Sequence, residues 1–151
     1  MTFPLTISIP NLEALPRAAE QLLQVMQESG CSIAAFFAPM GAGKTTLINE
    51  LCRLQGAPEV TNSPTFALVN EYSSAVGAPI YHIDCYRLRD EAEAVDMGIT
   101  DFLYSGHTCY VEWPELVEDL LPPAQTLSVS IEAAPGGERT LTIMQYTLSH
   151  E

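Results

Sequence analysis

Apolar and polar positions change their spacing several times along the chain, and each change marks an element. Thr6 to Ile9 alternates and reads as a short strand. Leu15, Ala18, Ala19, Leu22, Val25 and Met26 then recur at helical spacing, with Pro16 tolerated in the first turn and Gly30 as the stop. The strand expected at Ser32 to Phe37 carries apolar residues on both faces, the pattern of a parallel sheet's centre. A glycine-rich turn and a helix to about Gln55 come next. Ala67 to Ser73 and Pro79 to Ile83 read as strands joined by a turn around Gly77. Asp90 and Glu93 have capping-box spacing and open a helix through about Met97 that ends at Gly98. Thr108 to Val111 is another apolar strand, Pro114 starts a short helix, and Pro122-Pro123 ends it. Thr126 to Ala133 and Arg139 to Leu148 flank Pro135-Gly136-Gly137 and must run antiparallel. This alternation, closed by a hairpin, predicts an α/β protein. The expected architecture is a three-layer α/β/α sandwich with a mostly parallel sheet and antiparallel edge strands, one domain over residues 1–151.

The turn after the apolar strand carries the most chemistry. Gly41-Ala42-Gly43-Lys44-Thr45-Thr46 contains the only lysine of the chain, although five arginines serve elsewhere. A glycine-rich turn between strand and helix points successive backbone N–H groups into one concavity, to which the helix adds its positive dipole end. That is a cradle for phosphates. Lys44 is placed to reach the outer phosphates, Thr45 to ligate a magnesium ion held by them, and Thr46 to donate to an inner phosphate. The spacing fits G-x-x-x-x-G-K-[ST] except that Ala38 stands at the first position. Alanine fits there if the residue ends the strand at negative φ, and does not if φ must be positive. Pro39 lacks an N–H, so the cradle is expected to be built from residues 40 to 46, Met40 and Ala42 included.

Composition narrows the partners. With 19 acidic and 6 basic residues the net charge is −13, and affinity for a nucleic-acid backbone comes from lysines and arginines that displace counterions. Any RNA must be gripped by something else. The same surplus repels nucleotide polyanions at long range, so binding is expected to depend on magnesium and the local cradle. Met1 to Pro10 has no basic residue or sustained apolar block, and no later run reaches the length of a membrane span, which predicts a cytoplasmic protein. Cys31, Cys52, Cys85 and Cys109 are widely spaced, without a C-x-x-C pair, and read as buried free thiols.

A phosphate cradle needs an acid at the C-terminal end of a neighbouring strand to organise magnesium. Asp84 ends Ile80-Tyr81-His82-Ile83-Asp84, and Glu112 ends Cys109-Tyr110-Val111-Glu112. Either can hold magnesium through water or orient an attacking water, and the residues alone leave the roles open. Ser63-Pro64-Thr65 suits a switch loop that senses a γ-phosphate, or a rigid turn before a strand. His82 and Asp84 share a strand face but have no third metal ligand nearby. Arg87 can steady a phosphate or anchor Asp90, with the structural ion pair the favoured reading, and His107 and His150 carry no signal.

Four blocks in order, Gly41 to Thr46, Ser63-Pro64-Thr65-Phe66, His82-Ile83-Asp84-Cys85-Tyr86-Arg87-Leu88 and Glu112-Trp113-Pro114-Glu115, resemble the bacterial TsaE family, formerly called YjeE. The resemblance spans most of residues 38 to 115; the family usually has Gly-Asp-Leu where this chain has Ala38-Pro39-Met40. It implies a P-loop ATPase fold, ATP or ADP with magnesium as cofactors, and work with the TsaB and TsaD proteins in making threonylcarbamoyladenosine on tRNA. It further implies that Lys44, Thr45 and Thr46 bind phosphates and magnesium, that Asp84 is the Walker B acid, that Glu112 is a second magnesium-linked acid, and that Trp113 lies beside the site. A GTPase is disfavoured because its Asn-Lys-x-Asp motif needs a lysine, and a small P-loop kinase because the arginines at 17, 53, 87, 89 and 139 are scattered and not gathered on a lid. A nucleotide-dependent binding module with negligible turnover stays open as the alternative. No arginine neighbours the loop in sequence, so slow turnover alone and stimulation by partners are expected.

Overall fold

The computed structural model describes residues 2–39, 41–57, 60–62 and 68–147. Met40, the Ser63-Pro64-Thr65-Phe66 block, Ala67 and His150 lie outside the described residues. The strands are β1 (Leu5–Ile9), β2 (Ile33–Phe37), β3 (Val60–Asn62), β4 (Val69–Ser73), β5 (Pro79–Asp84), β6 (Thr108–Glu112), β7 (Thr126–Ala133) and β8 (Arg139–Gln145). The helices are α1 (Leu15–Ser29), α2 (Lys44–Leu54), α3 (Glu91–Asp96) and α4 (Ile99–Leu103).

All eight strands form one sheet in the order β1-β8-β7-β2-β6-β5-β4-β3. The centre, β7-β2-β6-β5, is parallel, and two antiparallel strands extend it on each side. The flanks are thus as wide as the parallel centre. The burial of β2 shows why it sits in the middle. Ala34 and Phe36 join one core with Leu22 of α1 and Leu47, Ile48 and Leu51 of α2; Ile33 and Ala35 join a second core with Ala94 of α3 and Ile99 and Leu103 of α4. Alternate side chains of one strand therefore serve two layers, which a run apolar on both faces requires. Each fully buried leucine or isoleucine contributes roughly 1.5–3 kcal/mol.

Local signals act where they were read, with some differences. Gly30 ends α1 in the left-handed region at φ 74°, which a side chain would strain. Asp90 caps α3 through a 2.8 Å bond from the Glu93 N–H, but the Glu93 carboxylate does not return to Asp90; it accepts from the Arg89 N–H and Nε instead. The ion pair of this segment is Arg89 with Glu93, not Arg87 with Asp90. Helix α3 stops before Gly98 as expected, and at φ 80° Gly98 caps a further helix, α4, which the sequence reading lacked along with β3. The segment Pro114–Leu120 is 3-10 and not α-helical, with a break at Val117. The four cysteines are buried and free, and burial pushes the Cys52, Cys85 and Cys109 thiols up to about 12. Among the described residues, no helix is long and apolar enough to cross a membrane.

Candidate nucleotide site

Because β7, β2, β6 and β5 run parallel, their C-terminal ends meet at one edge of the sheet, and the loop after β2 opens there. Gly41 and Gly43 take φ of 82° and 96°, and Gly43 caps the N-terminus of α2. Ala38 has no such demand: Trp113 is the only non-glycine with positive φ among the described residues. The alanine therefore fits the position as a strand end. Its carbonyl accepts a 3.1 Å bond from Lys44 Nζ, and the Pro39 carbonyl accepts from the Ala42 N–H at 3.3 Å.

Lys44 is only 6% exposed, its ammonium lying 3.5 Å from the centre of the Trp113 ring. Burial lowers its pKa, against the opposing pull of Glu112, Glu115 and Asp84. Trp113 holds this pose with a left-handed backbone at φ 54°, and Tyr86 packs edge-on against it with ring centres 5.1 Å apart. Such a backbone costs an ordinary residue about 1–2 kcal/mol and is retained where surrounding contacts enforce it.

The two acids are register partners on β5 and β6 but have different surroundings. Glu112 is 5% exposed; one oxygen accepts from the Thr45 hydroxyl at 3.1 Å and the other meets His82 Nε2 at 2.5 Å. Burial alone would raise its pKa, but the His82 bond and charge, the Thr45 hydroxyl and the Lys44 ammonium outweigh burial and hold it below the usual carboxylate range. Asp84 is half-buried and accepts from the Tyr86 N–H at 3.0 Å. Among the described residues no three His, Cys, Asp or Glu side chains gather as a metal cage. A magnesium ion shared between one or two carboxylates, a hydroxyl and substrate phosphates fits this donor set better than an all-protein site would.

His82, read in the sequence only beside Asp84, instead joins Glu112 from the next strand. Its removal leaves a buried carboxylate short of a partner, so His82→Ala is expected to lower stability at pH 7 by about 1–3 kcal/mol. Because the folded pKa of Glu112 lies below its unfolded value, this acid's stabilisation is present above about pH 4.3 and is lost as pH falls through the folded value. In His82→Ala that acid-side loss shrinks. Urea melts at pH 7 and pH 4 read both effects, and identical midpoints in variant and wild type would refute the role.

Gly41, Gly43, Lys44, Thr45, Thr46, Asp84, Glu112 and Trp113 line one cavity of about 750 Å³, and Ala42 is buried in the same loop. Leu68, Tyr86, Arg87 and Arg139 complete the lining. Arg139 is the residue that sequence reasoning missed. It opens β8 opposite Ala133, the last residue of β7, and so comes to the same edge as the loop. The available signal was its place just past Pro135-Gly136-Gly137, on a hairpin that ends at the same edge as the glycine-rich loop.

The sequence model of the family described as "Threonylcarbamoyl adenosine biosynthesis protein TsaE" matches residues 9–141. Among curated proteins called tRNA threonylcarbamoyladenosine biosynthesis protein TsaE, that of Bacillus subtilis is 39% identical over 68% of this chain and 63% of its own length. The Haemophilus influenzae protein is 43% identical over 58% of this chain and 55% of its own length, and the Treponema pallidum protein 31% identical over 74% and 81%. The chain thus spans less than two thirds of the first two relatives. The crystal structure of Bacillus subtilis YdiB superimposes with a TM-score of 0.68, covering 95% of this chain and 86% of that one at 24% identity, which supports the α/β fold. With the family match running from the end of β1 into β8, across the loop and both strand-end acids, the chain belongs to the TsaE family of tRNA threonylcarbamoyladenosine biosynthesis.

Proposed function

We propose that this protein binds ATP or ADP with magnesium and hydrolyses ATP as the nucleotide-driven subunit of a tRNA-modifying assembly that includes TsaB and TsaD. The observation that carries the reading is the Thr45–Glu112 contact of 3.1 Å, which ties the phosphate loop to an ionised acid on the neighbouring strand beside Lys44. Loop amides from Gly41 to Thr46 hold the phosphate chain, Lys44 leaves the Ala38 carbonyl to meet the outer phosphates, and Thr46 donates to an inner one. Magnesium, when bound, supplies the charge that neutralises the outer phosphates. Thr45, Asp84 and Glu112 are the residues that hold it, directly or through water. An acid at that edge also orients the attacking water, a role for Asp84 or Glu112.

A chain of net charge −13 is a poor match for RNA, so tRNA is held by the partners, in the cytoplasm where it is modified. Titration with magnesium and ATP or GTP, followed through Trp113 fluorescence, tests the binding step, since this indole lies against the lysine that must move. ATP is expected to change the emission and GTP to do so only at far higher concentration. Phosphate release is expected to be slow alone and to rise on adding TsaB and TsaD. Fast release untouched by the partners would contradict the proposal, as would calorimetric binding with flat fluorescence.

A further inference from the structure

Arg139 stands where the tight turn Ala134–Glu138 brings β8 back over the edge of the sheet; the Ala134 N–H donates to the Glu138 carbonyl at 2.8 Å and the Gly137 N–H to the Ala134 carbonyl at 2.9 Å. Its side chain crosses to the phosphate loop and lies flat on Gly43. A Cβ at Gly43 would stand 3.0 Å from both Cζ and Nη1 of Arg139 and 3.3 Å from Nε. Glycine at this position therefore answers two demands, a φ of 96° and room for a guanidinium. The Nε atom is buried and has no hydrogen-bond partner among the described residues. Guanidinium offers five N–H donors and accepts nothing, so a buried donor left unmet calls for an oxygen from outside the protein. The cavity that Arg139 lines is the one the anion cradle opens into.

The two carboxylates of this cavity lie on one side of it, where Arg87 also joins the lining. Asp84 and Glu112 come from β5 and β6, and the Thr45 hydroxyl points to that flank through its bond to Glu112. Arg139 comes from the opposite side of β2, across β7. Asp84, Glu112 and Thr45 would hold a magnesium ion on the acidic flank, which would leave the other flank to the inner part of the phosphate chain. We propose that Arg139 is a second phosphate-binding cation of this site, donating to the inner phosphates of the bound nucleotide from the β8 side. The proposal rests on the nucleotide-binding reading above. It also means that the chain carries, folded against its loop, a positive group that no residue near Lys44 in sequence supplies.

The test is calorimetry of wild type, Arg139→Gln and Arg139→Lys with magnesium-ADP and magnesium-ATP as probes, accompanied by thermal melting. Glutamine keeps much of the packing over Gly43 but removes the charge, and lysine restores the charge without the fork. Arg139→Gln is expected to weaken ADP and ATP alike by about 10- to 100-fold, and Arg139→Lys to recover part of the loss. Wild-type affinity for both probes in a folded Arg139→Gln variant would overturn the proposal. So would a loss confined to ATP, which would move the contact to the outermost phosphate. A wild-type chain that binds neither probe would overturn the nucleotide reading itself, so the two failures are distinct.

Discussion

Lys44→Ala is expected to weaken ATP binding by about 100-fold or more while the fold survives. Without Lys44 the loop offers the outer phosphates no ammonium beside the magnesium ion, and no second lysine exists in the chain to replace it. In the structure this residue is not an exposed loop lysine: it is 6% exposed, bonded to the Ala38 carbonyl and laid over Trp113. That changes the control, not the expected loss. Removing the ammonium leaves a carbonyl unpaired and takes a cation from the indole face, but also relieves the burial that lowers the lysine's pKa. The opposing effects should leave net stability within about 1 kcal/mol of wild type. Calorimetry with magnesium-ATP and a melting curve on the same sample decide the matter: unchanged affinity in a folded variant would remove Lys44 from the phosphate site.

The features legible in the sequence were those written in local spacing. The two-faced apolar run at Ile33–Phe37 announced a central strand because both core layers draw on it, and Gly30 announced the end of α1 because only glycine takes its φ of 74° cheaply. The strand ends carrying Asp84 and Glu112 were readable for the same reason. What escaped depends on register and topology. His82 meets Glu112 because β5 and β6 are neighbours whose residues pair across the ladder, which spacing along one strand cannot reveal. Arg139 reaches Gly43 because the β7–β8 hairpin ends at the loop's edge of the sheet. Gly98 was read as a stop, and α3 does end before it; what the spacing did not show is that the same positive φ caps a new helix, α4, whose Ile99 and Leu103 are buried.

Glu112→Gln is expected to lower ATP turnover by about 10²- to 10³-fold while weakening ATP binding far less. Glutamine keeps the shape and can still accept from the Thr45 hydroxyl, so the loop stays in place; what disappears is the charge. That charge is well organised in the wild type, since Glu112 is buried yet held ionised by His82, Thr45 and Lys44. Under the proposed function, a fixed anion so placed would act on magnesium and on the attacking water, whose demand grows as the transition state forms. Asp84→Asn provides the comparison: Asp84 is less buried and bonded to the Tyr86 N–H, whereas the Thr45 hydroxyl bonds to Glu112. The variant whose half-saturating magnesium concentration rises more identifies the acid nearer the metal. Phosphate release at saturating ATP, measured with TsaB and TsaD present so that the wild-type rate is readable, gives the turnover. A Glu112→Gln, Asp84→Asn double variant that turns over normally would show that neither acid takes part in the chemistry.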